Sequence, residues 1–308
     1  MHHSEHKIFI LTEENQSYHD LLLSHSLPEL TITQEPAEAD IVLAAPPKVA
    51  DKLDQFPKLQ WLQSTYAGVN ALMPSGLRRD YTLTNVRGIF GPLIAEYVLG
   101  YSIAHWRHLP LYAQQQQQRQ WQPHLYTSLQ GKRVVILGTG SIGNHLAHVC
   151  SAMGLHTMGI NRTGIPPTGS HFHQTYHINE LAAALTQADI VVNTLPSTEQ
   201  TKQLLNQASL SHCRQVLLFN VGRGDVLDNA ALLLALKNRW VEHAFLDVFE
   251  QEPLPSDHPF WGLKQITITP HIAALSFAEQ VVEIFAENYQ RWIEGYPLNY
   301  QVSFAKGY

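Results

Sequence analysis

Cysteine is scarce. There are two in 308 residues, Cys150 and Cys213, and they form no metal or redox motif. That excludes a disulfide scaffold and fits a reduced, cytoplasmic setting. Charge is sparse too, at 15% of the chain, and bases are outnumbered by acids, 20 to 26, for a formal charge of −6. Such a balance argues against nucleic acid as the main partner. No apolar run approaches the ~20 residues a bilayer span requires, so no membrane partner is expected. The start, Met1-His2-His3-Ser4-Glu5-His6-Lys7, leads only into Ile8-Phe9-Ile10-Leu11. That stretch is too short for a signal h-region and reads as a first strand. What remains is a chain 44% apolar and long enough for two cores. It is globular rather than disordered.

Histidine, by contrast, is abundant at 18. His171, His173 and His177 cluster after Pro166-Pro167 in a loop-like stretch. No Cys or carboxylate stands among them at ligand spacing, so a polar surface loop is favoured and no metal is expected. Gln114 to Gln118 follow a helical pattern through Tyr97, Leu99, Ile103 and Trp106, and read as a solvated helix end.

Short apolar runs alternate with helical stretches twice along the chain. The first series offers strands at Lys7 to Leu11, Asp40 to Ala45, Leu59 to Ser64 and Tyr81 to Asn85. The second begins near Gly131, with Arg133 to Leu137, His156 to Asn161 and Asp189 to Thr194. It continues with Gln215 to Asn220, His243 to Asp247 and Gln265 to Thr269. An apolar-periodic helix is expected at Asn229 to Lys237 and a last one at Ser276 to Glu294. The alternation predicts an α/β protein with doubly wound parallel sheets. Sites on such sheets lie at the carboxyl ends of the strands.

Gly138-Thr139-Gly140-Ser141-Ile142-Gly143 follows a strand and opens a helix, expected over Asn144 to Ala152. Gly138 permits the tight turn, Gly140 lets the backbone approach a pyrophosphate, and Gly143 lets helix and strand pack closely. The helix N-terminus adds N–H donors and a positive dipole end. An ordinary glycine turn is the bland alternative. The strand–loop–helix context favours dinucleotide binding. At the end of the next strand stands Asn161-Arg162-Thr163, with no acid. Arg162 can pair with a 2′-phosphate and Thr163 can donate to it, which points to NADPH; a solvated loop arginine is the alternative.

Three ionisable residues each sit just past an apolar run. They are Arg223 in Asn220-Val221-Gly222-Arg223-Gly224-Asp225, Glu252 in Asp247 to Pro255, and His271 in Thr269-Pro270-His271-Ile272-Ala273-Ala274. Singly, each reads as readily as a turn, loop or core residue. All three follow strands of one expected sheet and should face one edge. Arg223 can grip the carboxylate of a 2-oxo acid and polarise its ketone. His271 can donate the proton to the oxygen on reduction and take it back on oxidation. Glu252, paired with the imidazole, favours its protonated form and fixes its orientation.

These segments together resemble the D-isomer-specific 2-hydroxyacid dehydrogenases over essentially the full chain. Within that family the closest likeness is to the short bacterial glyoxylate/hydroxypyruvate reductases of the A type. Trp121-Gln122-Pro123, Leu195-Pro196-Ser197-Thr198 and the ending Gln301-Val302 through Gly307-Tyr308 support it. The resemblance implies that Arg223, Glu252 and His271 are the catalytic set. It implies a Rossmann cofactor domain, 99–275, inserted in a flavodoxin-like substrate domain, 1–98 plus 276–308. A cleft that closes on the cofactor and a homodimer are implied as well. In Ser64-Thr65-Tyr66-Ala67-Gly68-Val69 the backbone N–H groups of Ala67 and Gly68 would hold the substrate carboxylate. Leu195 and Pro196 would line the cofactor site, Val221 would lie beneath the nicotinamide and Asp247 near its carboxamide. Asn70 stands where the family often has Asp. Arg87, in Asn85-Val86-Arg87-Gly88, replaces a more usual small residue or Pro, and is read either as facing the cleft or as solvated. The expected activity is NADPH-preferring reduction of glyoxylate to glycolate and hydroxypyruvate to D-glycerate, with NADH as a possible second cofactor. Two alternatives stay open: a reductase of a bulkier 2-oxo acid, and a dinucleotide-sensing regulatory protein on the same fold.

Overall fold

The structure, a computed structural model, describes residues 5–307. Residues 1–4 and 308, on which parts of the start and of the terminal motif fall, lie outside the described residues. The chain divides into two compact units, Met1–Ile89 with Ser276–Tyr308, and Phe90–Leu275.

The first unit holds β1 (His6–Leu11), α1 (Asn15–His25), β2 (Leu30–Ile32), β3 (Ile41–Ala44), α2 (Pro46–Val49), β4 (Trp61–Ser64) and β5 (Thr82–Thr84). Its sheet runs β2-β1-β3-β4-β5 with every pair parallel. Every residue of β3 and β4 is buried. That is the signature of a parallel strand covered on both faces.

The second unit opens with α3 (Phe90–Trp106) and α4 (Leu109–Gln117). Then follow β6 (Arg133–Leu137), α5 (Ser141–Ala152), β7 (His156–Asn161), β8 (Gln174–His177), α6 (Leu181–Leu185) and β9 (Ile190–Asn193). α7 (Gln207–Leu210), β10 (Val216–Asn220), α8 (Asn229–Lys237), β11 (Val241–Leu246) and β12 (Ile266–Ile268) complete it. The order is β12-β11-β10-β9-β6-β7-β8, again wholly parallel. Alternate residues of β6 feed opposite cores. Val135 and Leu137 join Leu181, Leu185, Ala231 and Leu232, whereas Val134 and Ile136 join Ile94, Val98, Leu146 and Cys150. The period of two in a strand produces this split. The order reverses between β6 and β9, which places a crevice at their carboxyl ends.

The chain then returns to the first unit as α9 (Ala278–Ile293), whose apolar stripe Val281, Val282, Phe285 and Tyr289 is buried. Phe285 stacks on Trp61 of β4 at 4.9 Å.

The structure departs from the sequence reading in several places. The histidine segment is not all loop. His177 ends the edge strand β8, His173 sits 2.9 Å from the Thr157 hydroxyl, and His171 lies 4.4 Å from His148, ring to ring. The glutamine run belongs to α4, separated from α3 by His108 in the left-handed region at φ 56°. Within that run Gln115 is buried and bonded to His124. Helix α5 begins at Ser141, inside the glycine fingerprint, rather than at Asn144. Among the described residues no group of His, Cys, Asp and Glu is arranged to hold a metal, and no helix is long and apolar enough to cross a membrane. Both cysteines are buried, and burial pushes each thiol up to about 12, so neither supplies a thiolate at neutral pH.

Candidate active site

The glycine loop is built by steric exclusion. Gly138 has φ +102°, and a Cβ there would stand 2.7 Å from the Thr194 hydroxyl. At Gly143 a Cβ would fall 2.0 Å from the Gly138 carbonyl oxygen, so only glycine lets α5 sit this close to β6. Gly140 is the opposite case: a Cβ there meets nothing within 4 Å. The space over that backbone is open, and no side chain caps the helix start. Open space before uncapped N–H donors suits a diphosphate. The loop therefore fits a dinucleotide.

Asn161, at the end of β7, organises the neighbouring loop. Its Nδ2 donates to the Thr139 hydroxyl at 3.1 Å and to the Ile165 carbonyl at 2.8 Å. Its Oδ1 accepts from the Thr163 and Gly164 N–H groups at 3.0 and 2.7 Å. Arg162 and Thr163 are thereby held on an exposed turn beside the glycine loop.

Asparagines also lace the next strand ends. Asn193 donates to Asn220 at 2.8 Å and accepts from the Leu195 N–H at 3.1 Å. The Val221 N–H donates to the Asn193 carbonyl at 3.1 Å. Leu195, Pro196 and Val221 therefore sit on adjoining loops. A Cβ on Gly222 would meet the Leu195 carbonyl oxygen at 2.6 Å, and one on Gly224 would meet the Phe249 carbonyl carbon at 1.9 Å. These glycines let the loops after β9, β10 and β11 close around Arg223.

Arg223 is partly buried, and Nη1 donates to the Gly222 carbonyl at 2.6 Å. Burial lowers its pKa from the usual arginine range, opposed by the Glu252 and Asp225 carboxylates. It remains a cation at neutral pH. The Ser197 hydroxyl donates to Asp225 Oδ2, so the loop after β9 also secures the loop after β10.

His271 and Glu252 form the central pair, with Nδ1 to Oε2 at 2.7 Å. The other oxygen, Oε1, accepts from the Phe249 N–H at 2.9 Å and fixes the carboxylate to its own loop. With Nδ1 engaged, Nε2 is the nitrogen left to meet a substrate oxygen. The imidazole side chain is 51% exposed, so it is accessible. The backbone of His271 lies at φ 55°, in the left-handed region. For a residue with a Cβ that costs ~1–3 kcal/mol and persists only where surrounding bonds enforce it.

Those bonds converge on Asp247, which is 2% exposed. Its Oδ1 accepts from the Thr269 hydroxyl at 2.6 Å and the Ile272 N–H at 2.9 Å, and its Oδ2 accepts from the Ala273 N–H at 2.9 Å. The Asp247 carbonyl accepts from the His271 N–H at 2.9 Å. Tyr97 of α3 lies 2.7 Å from the Thr269 hydroxyl. Because Thr269 gives its proton to the carboxylate, Tyr97 must donate. Burial raises the phenol far above its ordinary pKa, so that proton stays in place. Sequence reasoning missed Tyr97, Thr269, Asn193 and Asn220. Thr269 stood inside a motif already singled out. The asparagines were visible as polar ends on apolar strands. Nothing in the spacing marked Tyr97.

Ala67 and Gly68 lie in the first unit, after β4. The Asn85 side chain donates to the Ala67 carbonyl at 2.7 Å, and the Val86 N–H donates to the Tyr66 carbonyl at 3.3 Å. In a trans peptide the N–H points opposite to its carbonyl. Pinning these two carbonyls turns the N–H groups of Ala67 and Gly68 away from the β5 loop. Neither N–H donates within the protein among the described residues.

Comparison with known proteins agrees with this geometry. The profile of the D-isomer specific 2-hydroxyacid dehydrogenase NAD binding domain matches residues 99–273. A glyoxylate/hydroxypyruvate reductase A of Yersinia enterocolitica is 31% identical over 304 residues, covering 93% of this chain and 94% of its own. The crystal structure of a D-isomer specific 2-hydroxyacid dehydrogenase family protein from Aeromonas salmonicida is 44% identical. It superposes with a TM-score of 0.93, over 98% of this chain and 100% of the other. A D-isomer specific 2-hydroxyacid dehydrogenase from Xanthobacter autotrophicus, crystallised with NADPH and MES, is 28% identical. Its TM-score is 0.88, with 99% and 100% covered.

Proposed function

Because this chain belongs to the D-isomer specific 2-hydroxyacid dehydrogenase family, and so is an NAD(P)-dependent oxidoreductase, we propose that it is an NADPH-preferring reductase of small 2-oxo acids. It takes glyoxylate to glycolate and hydroxypyruvate to D-glycerate. The observation that carries the reading is the His271–Glu252 pair at 2.7 Å, on loops of the same sheet edge as Arg223.

Gly138 to Gly143 and the start of α5 would hold the diphosphate, with Leu195, Pro196 and Val221 along the neighbouring loops. A nicotinamide cofactor held there would supply the hydride for reduction of the ketone. Arg223 binds the substrate carboxylate and polarises the ketone. The family resemblance gives Ala67 and Gly68, in the first unit, the role of backbone donors to a carboxylate. Negative charge develops on the carbonyl oxygen, and His271 delivers a proton there from Nε2. Glu252 holds the ring by Nδ1, and Asp247 holds the His271 loop. In oxidation His271 takes the proton back. The preference for NADPH rests on Arg162 and Thr163, with Asn161 holding their turn. The family resemblance extends the reading to a cytoplasmic homodimer.

The test is a panel of 2-oxo acids, each assayed with NADPH and NADH. Glyoxylate and hydroxypyruvate should turn over with NADPH. Turnover of branched or aromatic acids alone would shift the assignment to a bulkier substrate. Tight dinucleotide binding with no turnover at all would favour a sensor. Arg162→Ala should raise the dissociation constant for NADPH over that for NADH, since a hydrogen bond to a charged group is worth ~1.5–3 kcal/mol. An equal loss for both cofactors would make Arg162 structural.

A further inference from the structure

His171, His173 and His177 have no part in the proposed chemistry, yet all lie on the stretch that follows the Arg162 turn in the second unit. His173 Nδ1 accepts from the Thr157 N–H at 3.1 Å, and His177 Nδ1 accepts from the Asn179 N–H at 3.1 Å. A backbone N–H can only donate, so each of these ring nitrogens carries no proton. Both imidazoles are therefore neutral while the bonds stand.

The remaining contacts are ring on ring. His171 packs on His148 of α5 at 4.4 Å, and His145 lies 6.4 Å from His148. His173 packs on His156 of β7 at 4.5 Å, and Arg133 of β6 is the register partner of His156. Burial, then His173 and Arg133, lower the His156 pKa. Glu180 accepts from the His177 N–H at 2.9 Å. Among the described residues no carboxylate lies within ion-pair distance of any of these rings. Protons added here meet other bases and no counter-ion.

The braced stretch backs the cofactor turn. Asn144 of α5 donates to the Gly169 carbonyl at 3.1 Å and accepts from the His171 N–H at 2.8 Å. A Cβ on Gly159 would stand 2.9 Å from the Phe172 ring and 2.7 Å from the Thr139 methyl, so Phe172 lies beside the glycine loop. A Cβ on Gly164, within the Arg162 turn, would stand 3.2 Å from His177 Cβ. The turn thus rests on His177, and the chain behind it is braced through His171 and His173.

We propose that His171, His173 and His177 form a proton-sensitive clasp that keeps the Arg162 turn in its cofactor-binding position. Neutral rings hold residues 162–177 against α5 and β7. On protonation His173 and His177 lose their main-chain donors, the ring pairs become pairs of cations, and the stretch is released. Imidazole titrates between about pH 5 and 8. The clasp is closed at the alkaline end of that range and opens as pH falls through it, and NADPH affinity falls with it. This inference rests on the reading of Arg162 and Gly138 to Gly143 as the cofactor site.

The experiment measures NADPH dissociation constants by calorimetry at about pH 8 and about pH 5.5, near the two ends of imidazole titration. It compares the full-length protein with a double variant, His173→Asn with His177→Asn. Asparagine keeps an oxygen to accept each N–H and does not titrate. At the alkaline pH the two proteins should bind NADPH alike. At the acid pH the wild type should weaken more than the variant, by ~2–10-fold for each hydrogen bond lost. Protonation of the cofactor's own 2′-phosphate acts on both proteins and cancels in the comparison. Equal weakening overturns the proposal. Hydrogen exchange of the cofactor-free wild type, corrected for the intrinsic pH dependence of exchange, needs neither variant nor ligand. Residues 162–177 should lose protection at the acid pH while β10 keeps it. Unchanged protection of 162–177 overturns the clasp, as does an equal loss in β10. If NADPH binds at neither pH, the cofactor reading fails. The clasp then stands only if the exchange difference is present in the wild type and absent from the double variant.

Discussion

At His271 the backbone and the ring are held by different partners. Asp247, through Thr269, Ile272 and Ala273, fixes the left-handed backbone, while Glu252 fixes the ring. The two functions are therefore separable by mutation. His271→Ala should keep the fold and NADPH affinity yet lower kcat by ~10²–10⁴-fold, the usual contribution of general acid catalysis. Glu252→Gln retains an oxygen to accept from Nδ1–H, whereas Glu252→Ala retains none. Turnover should consequently fall further in the alanine variant than in the glutamine variant. Single-turnover rates at saturating NADPH measure this. Equal losses in the two variants would transfer the role of Glu252 from orientation to charge. The three catalytic candidates were legible in sequence because each is an ionisable residue in a loop that follows an apolar strand. The contacts that orient them were not, since Tyr97 and Thr269 are separated by nearly the whole second unit.

Among the elements, those with continuous apolar runs were read closely. Helix α8 spans Asn229–Lys237 as its periodicity predicts, and β6 and β7 match residue for residue. Two of the four edge strands, β2 and β8, were invisible. β2 has three residues, and β8, Gln174–His177, has no fully buried residue. An edge strand with one open side carries little of the apolar signal that marks a central one. Strand β11 hides a different feature. His243 projects between the rings of His105 and Phe245, at 5.3 and 4.6 Å, and bonds the Thr267 hydroxyl at 2.8 Å. Burial, with a smaller push from His105 and opposition from Glu242, lowers its pKa from 6.5 to about 4. The unfolded chain therefore binds more protons than the folded one between these values. Stability should be full above about 6.5 and should fall as pH drops toward 4. The loss should be ~1–2 kcal/mol after allowing for partial exposure. Thermal midpoints followed across that window should drop less steeply in His243→Asn. Parallel slopes for wild type and variant would remove His243 from the account.

At the scale of the molecule, the second unit is one continuous stretch with its own two cores, and it contains the glycine loop, Arg223, Glu252 and His271. A domain built this way can fold alone. A fragment of residues 90–275 should unfold cooperatively and bind NADPH in a calorimetric titration, without reducing any 2-oxo acid. A fragment of residues 99–275 should be markedly less stable. It loses Ile94, Ala95 and Val98, which sit in the core with Leu146 and Ala147 of α5, and Gly91, whose Cβ would stand 2.6 Å from that of His145. If the shorter fragment melts at the same temperature, α3 contributes less than its burial implies.

The first unit has the opposite arrangement, because Phe285 and Tyr289 of α9 complete a sheet whose strands lie at the other end of the chain. On the ribosome that interval becomes a waiting time. At ~5–20 residues per second, synthesis of Phe90–Leu275 takes on the order of ten seconds or more. Throughout it, Trp61 and its neighbours have no helix to cover them. The inserted unit can finish folding while its host is still half-built. Nascent-chain chaperones should therefore engage the β1–β5 segment and release it only after α9 has left the exit tunnel.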